Sequence, residues 1–121
     1  MQPFGLLIEA NGESGLDDLA PSAVAEMVAR HKALVLRGFA PMAQEALIEY
    51  ANGFGPLLRW EFGELLNLRI EKKPPNHLFG FGRVEMHWDG AYLTEVPRFS
   101  LFQCLEAAPG EEGGETLFTD T

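Results

Sequence analysis

The chain is poor in the residue types that announce several common functions. It has a single cysteine, so no internal disulfide can form. Basic residues are scarce, 9 against 18 acidic, and the resulting net charge of -9 disfavours a nucleic-acid partner and gives no attraction to an anionic membrane surface. No apolar run approaches the roughly 20 residues that a membrane-spanning helix requires. The N-terminus lacks the basic flank of a secretory signal, so the expected compartment is the cytoplasm. No internal repeat and no low-complexity tract interrupts the 121 residues. What is present is a globular composition, 46% hydrophobic and 11% aromatic, enough for one small core. A small-molecule or protein partner is what this balance favours.

Periodicity gives a coarse layout. Asn11-Gly12 and Ser14-Gly15 mark turns in an otherwise mixed first twenty residues. Pro21 suits the first turn of a helix whose Val24, Met27, Val28 and His31 share one face, and Ala33 to Leu36 follows as a short buried strand. A second helix is expected from near Pro41, with Leu47, Tyr50, Ala51 and Phe54 at helical spacing and Gly53 closing it. Further strands are expected over Leu65 to Ile70, Phe99 to Leu105 and Thr116 to Thr119, with an exposed loop over Glu71 to Asn76 and a Pro- and Gly-containing turn from Ala107 to Gly114. Cys104 falls in the apolar Phe99 to Leu105 run, where a small buried core residue is expected.

The chemistry concentrates in Met86-His87-Trp88-Asp89-Gly90. Residues two apart on an extended segment project to the same side, so His87 and Asp89 can reach one small divalent ion. They supply two thirds of a 2-His-1-carboxylate triad, the arrangement that leaves positions open on non-haem Fe(II). The competing structural reading is an Asx-type turn, in which Asp89 binds backbone amides ahead of Gly90 and His87 only packs. Neither His31 nor His77 stands where a third ligand is expected. His31 suits a helix end or core position, and His77 follows the Lys72-Lys73-Pro74-Pro75 loop.

The run His87-Trp88-Asp89-Gly90-Ala91-Tyr92-Leu93, then Val96-Pro97, the Phe99 to Cys104 segment and Gly113-Gly114-Glu115-Thr116 resemble the N-terminal half of a TauD/TfdA-type Fe(II)/2-oxoglutarate dioxygenase. Leu34 to Phe39, LVLRGF, is similar to the strand that opens that fold. Trp60 to Leu68, Asn76 to Gly80 and LFQCLEAAPG resemble, within the family, the oxygenases of the paerucumarin and isonitrile pathway, which act on an amino-acid-derived isonitrile.

The resemblance implies an α+β, mainly β fold, the N-terminal part of a double-stranded β-helix (jelly roll) with flanking helices, and residues 1–121 as a single incomplete domain. It implies His87 and Asp89 as Fe(II) ligands and Thr116 as a hydrogen-bond partner of 2-oxoglutarate. With O2, decarboxylation of that cosubstrate to succinate supplies the oxidant that abstracts hydrogen from the substrate. The family's second histidine and its cosubstrate-pairing arginine have no counterpart here, so the 121 residues alone are expected to be inactive, and half a barrel is expected to self-associate through open strand edges. Trp60, His77, Phe79, Arg83 and Trp88 are candidate substrate contacts, against the reading that aromatic residues in a small domain are core. The expected function is that of an Fe(II)/2-oxoglutarate-dependent oxygenase acting on a small amino-acid-derived substrate, with decarboxylative desaturation of a tyrosine isonitrile as one candidate reaction. Its rivals are taurine-dioxygenase-like hydroxylation of a small carboxylate or sulfonate, and a non-catalytic remnant or interaction module lacking the third ligand.

Overall fold

The computed structural model describes residues 4–69, 84–107 and 116–119. The chain divides into two compact units, Met1–Gly55 with Leu101–Thr121, and Pro56–Ser100.

The first unit opens with strand β1, Leu6–Glu9, and after a single 3-10 turn at Leu16–Asp18 enters helix α1, Pro21–His31. Strand β2, Leu34–Arg37, then lies parallel to β1, with Leu6 opposite Leu34 and Glu9 opposite Arg37. Parallel neighbours cannot be joined by a tight hairpin, and α1 is the crossover between them. In both strands residues alternate between half-buried and exposed, so Leu6, Ile8, Leu34 and Leu36 form the inner face while Leu7 and Val35 stay open at 47% each. β1 was not expected from the sequence. A four-residue strand has too little pattern to declare itself, and it exists through its pairing with β2, 28 residues away by register.

Helix α1 begins as its sequence dictates, with Pro21 at the first position, where a missing N–H leaves nothing unsatisfied. Val24 is buried, and Met27, Val28 and His31 on the same face are half-buried. His31 is the last helical residue, and its carbonyl accepts the Gly5 N–H at 2.8 Å. Lys32 ends the helix at φ 71, a left-handed conformation that costs a non-glycine residue about 1–2 kcal/mol, while its N–H caps the Val28 carbonyl at 2.7 Å.

Helix α2 spans Gln44–Asn52, so it starts later than Pro41, and Pro41 to Ala43 lead into it as extended chain. Tyr50 is the buried anchor. Its hydroxyl donates to the Leu19 carbonyl at 2.8 Å and its ring meets Phe54 edge-on at 5.6 Å. Gly53 does close the helix, but in right-handed geometry at φ -66. Its smallness serves packing instead, because a Cβ there would lie 2.6 Å from Pro21 Cγ. The core of this unit is Leu16, Val24 and Tyr50.

The expected strands over Leu65 to Ile70, Phe99 to Leu105 and Thr116 to Thr119 carry no strand pairing among the described residues, which hold two parallel strands and two α-helices. A strand exists only through its hydrogen-bonded neighbours. In the 101–107 segment that link is made instead by one side chain, Gln103, whose amide accepts from the Met42 N–H at 2.8 Å and donates to the Met42 carbonyl at 2.9 Å. Cys104 is exposed, contrary to the core position expected of it. The loop expected over 71–76 lies outside the described residues. Among the described residues, no helix is long and apolar enough to cross a membrane.

Candidate metal centre

The His87-Asp89 pair sits in the Pro56–Ser100 unit, on irregular backbone that runs into a turn. The Ala91 N–H reaches the Trp88 carbonyl at 3.3 Å, and Gly90 stands at φ +80, the value of the third residue of a type II turn, where glycine is favoured. A second turn follows at once, closed by the Leu93 N–H on the Gly90 carbonyl at 2.9 Å. Gly90 is also pinned from outside, since a Cβ there would lie 2.5 Å from Pro97 Cδ. Thus the glycine after the aspartate fixes the direction in which the chain leaves the pair.

His87 Nδ1 lies 2.7 Å from the Glu85 carbonyl oxygen, and a carbonyl only accepts, so the Nδ1 proton is held there. In the neutral imidazole this leaves a lone pair at Nε2, which lies 3.5 Å from Asp89 Oδ1. Either a proton on Nε2, which would make the contact an ion pair, or a metal ion between the two atoms satisfies both. Ligands about 2 Å from one ion are roughly 3–3.5 Å apart, so the separation fits shared coordination. A carbonyl partner on the far ring nitrogen is the outer-shell arrangement that orients metal-bound histidines. The donors, one imidazole nitrogen and one carboxylate oxygen, suit a divalent transition metal. The interaction shown for Asp89 among the described residues is this one, with no bond from its carboxylate to a backbone amide, so the Asx-turn reading has no support there. Both side chains are about half exposed, 55% and 45%. Among the described residues no third His, Cys, Asp or Glu joins them.

The other expected site residues are distributed unevenly. Trp60 belongs to the same unit as the pair, and its indole stacks on Phe62 at 5.7 Å and 9°. Trp88 lies between His87 and Asp89 in sequence and is 67% exposed. Thr116 is exposed and belongs to the other unit. His77, Phe79 and Arg83 lie outside the described residues. Sequence reasoning did not single out Leu93, whose Cδ1 would lie 3.4 Å from a Cβ on Gly90. The closely spaced glycine and leucine after the ligand pair were the available signal.

Comparison with known proteins gives a consistent picture. The family model described as taurine catabolism dioxygenase TauD, TfdA family matches residues 3–121. A 3-((Z)-2-isocyanoethenyl)-1H-indole synthase from Fischerella ambigua is 43% identical over all of this chain and 45% of its own length. Tyrosine isonitrile desaturases from Erwinia amylovora and Pseudomonas aeruginosa are each 38% identical over 98% of this chain and 41% of their own length. The crystal structure of the PvcB protein from Pseudomonas aeruginosa superposes with a TM-score of 0.66 at 36% identity, over 78% of this chain and 35% of that one. The chain therefore spans less than half the length of the curated relatives it matches.

Proposed function

The chain belongs to the TauD/TfdA dioxygenase family, and from that premise we propose that it forms the iron-ligating part of an Fe(II)/2-oxoglutarate-dependent oxygenase that desaturates an aromatic-amino-acid-derived isonitrile. The observation that carries the reading is the facing pair, His87 Nε2 and Asp89 Oδ1 at 3.5 Å, on a chain whose relatives are named for isonitrile desaturation and for an isocyanoethenyl indole. A hydroxylase of a sulfonate or carboxylate has no such support from the relatives.

On this reading His87 and Asp89 hold Fe(II), and Thr116 contacts the cosubstrate. Bound iron with 2-oxoglutarate and O2 supplies a two-electron oxidant. The chain's own contribution is positional. The Glu85 carbonyl holds the Nδ1 proton of His87 and directs Nε2 at the ion, and the Gly90 turn sets the carboxylate of Asp89 opposite it. The second histidine and the cosubstrate arginine belong to the part of the family sequence that these residues do not match. The net reaction is decarboxylative desaturation. The substrate loses its carboxylate as carbon dioxide and one hydrogen from the neighbouring carbon, and a C=C bond forms. The substrate's hydrogen and the two electrons it releases, with one proton, reduce one oxygen atom of O2 to water, while 2-oxoglutarate takes up the other and becomes succinate and carbon dioxide.

Anaerobically prepared full-length protein, given Fe(II), 2-oxoglutarate, air and tyrosine or tryptophan isonitrile, tests this directly. Succinate and a vinyl isonitrile should appear in equal amounts. Absence of succinate with both isonitriles would overturn the proposal, and a hydroxylated product that keeps its carboxylate would replace desaturation with hydroxylation.

A further inference from the structure

Within the Pro56–Ser100 unit, residues 58–62 and 93–95 line an open groove of about 580 Å³. We propose that this groove is the subsite for the aromatic ring of the substrate, with Trp60, Phe62 and Leu93 as specificity-determining residues; the assignment rests on the oxygenase reading above and names which end of the substrate goes where.

Four observations carry it. The volume lies within the range of pockets for small organic ligands, about 300–1,000 Å³. Its apolar wall is preorganised, because Trp60 and Phe62 stack within a turn closed twice, by the Trp60 N–H on the Gly63 carbonyl at 2.9 Å and the Gly63 N–H on the Trp60 carbonyl at 3.0 Å. A platform already held in place loses little freedom when a ring docks on it, and Phe62 remains 48% exposed. One lining residue, Leu93, also stands close to the candidate pair along the chain. Leu93 closes a turn on Gly90, which brings the two Cα atoms within about 7 Å, and Gly90 follows Asp89 directly. Finally, the charged groups on the lining are Arg59 against Glu61 and Glu95, a net acidic set that does not attract a carboxylate. The apolar ring end of the substrate therefore occupies the groove, and its carboxylate-bearing carbon points to His87 and Asp89.

The test compares full-length wild type with Trp60→Ala, Trp60→Phe and Phe62→Leu, using tyrosine isonitrile and leucine isonitrile in competition. Trp60→Ala should raise KM for the aromatic substrate about tenfold, the scale of one lost aromatic contact, and lower the aromatic-to-aliphatic ratio of kcat/KM by a similar factor. Trp60→Phe should recover most of that ratio. Should Trp60→Ala not fold, Phe62→Leu at its half-exposed position gives the same readout with a smaller drop. An unchanged ratio in a folded variant would overturn the subsite. If wild type turns over neither isonitrile, the oxygenase reading fails on its own, and a calorimetric titration with indole decides the groove: weaker binding to Trp60→Ala supports it, and equal binding to both overturns it.

Discussion

Between Phe4 and Gly55 the backbone hydrogen bonds run into a parallel ladder and two helices, and apolar side chains close on Leu16, Val24 and Tyr50. Between Val84 and Ala107 the described backbone is irregular, with two consecutive turns over Trp88 to Leu93, and Met86, Trp88, Tyr92, Val96, Phe102 and Leu105 are all more than half exposed. The candidate pair, His87 and Asp89, lies in the second region. A helix can satisfy its backbone from its own neighbours in sequence, and a β-α-β unit needs about thirty residues to complete itself. A turn satisfies fewer groups but can aim two side chains at one point, which is what a metal pair requires. The first region is thus organised by burial and the second by backbone direction.

The largest effect that could break this contrast belongs to the ligand pair. In the full-length protein, His87→Ala or Asp89→Ala should lower turnover by more than a hundredfold, beyond the 10- to 100-fold range for loss of outer-shell partners. Thermal unfolding should barely move, because both side chains are about half exposed. A variant with near-normal succinate production would remove the pair from the mechanism. Next in size is Gly90→Ala. Positive φ costs an alanine about 1–2 kcal/mol, and its Cβ would meet Pro97 Cδ at 2.5 Å, so the turn must shift and carry Asp89 with it. Turnover and Fe(II) affinity should each fall about tenfold; unchanged Fe(II) affinity would show that the turn does not set the carboxylate.

The contrast in burial is tested by paired truncations in the 121-residue chain. Val24→Ala, at 6% exposure, should cost about 2 kcal/mol in denaturant unfolding. Phe102→Ala, at 67% exposure, should stay within about 0.5 kcal/mol. Equal costs would make Phe102 a core residue and erase the distinction.

The same division explains what was legible in the sequence. Helix α1 could be read down to its Pro21 start and its inward Val24, because a period of 3.6 over eleven residues is a local signal. Strand β2 declared itself by its apolar run, while β1 did not, since its partner lies a whole helix away. The His87-Asp89 pair was visible because its spacing is two residues. Its Glu85 carbonyl partner and the role of Leu93 were not, because hydrogen-bond direction and turn closure are set by φ and ψ, which residue identity constrains only at positions such as Gly90. The expected strands at 65–69, 99–105 and 116–119 show the opposite failure. Their apolar content is genuine, yet β structure needs a partner strand, and composition does not reveal where that partner comes from.

Tyr50 gives the smallest and most specific test, because it couples the helical region to pH. Its buried hydroxyl donates to the Leu19 carbonyl at 2.8 Å, and burial raises its pKa above the ordinary 10.0 by penalising the phenolate. The folded state therefore holds this proton more tightly than the unfolded state does. Its contribution to stability is full below pH 10 and is lost as pH rises through the higher folded-state value. Tyr50→Phe should cost about 0.5–1.5 kcal/mol at neutral pH, the net worth of one hydrogen bond, and should flatten the decline in stability above pH 10. Denaturant midpoints of wild type and Tyr50→Phe from pH 8 to 11.5 give both quantities at once. Parallel curves would mean that Tyr50 ionises as freely in the folded chain as in the unfolded one, and the first region would then lack the closed interior that distinguishes it from the turns around His87 and Asp89.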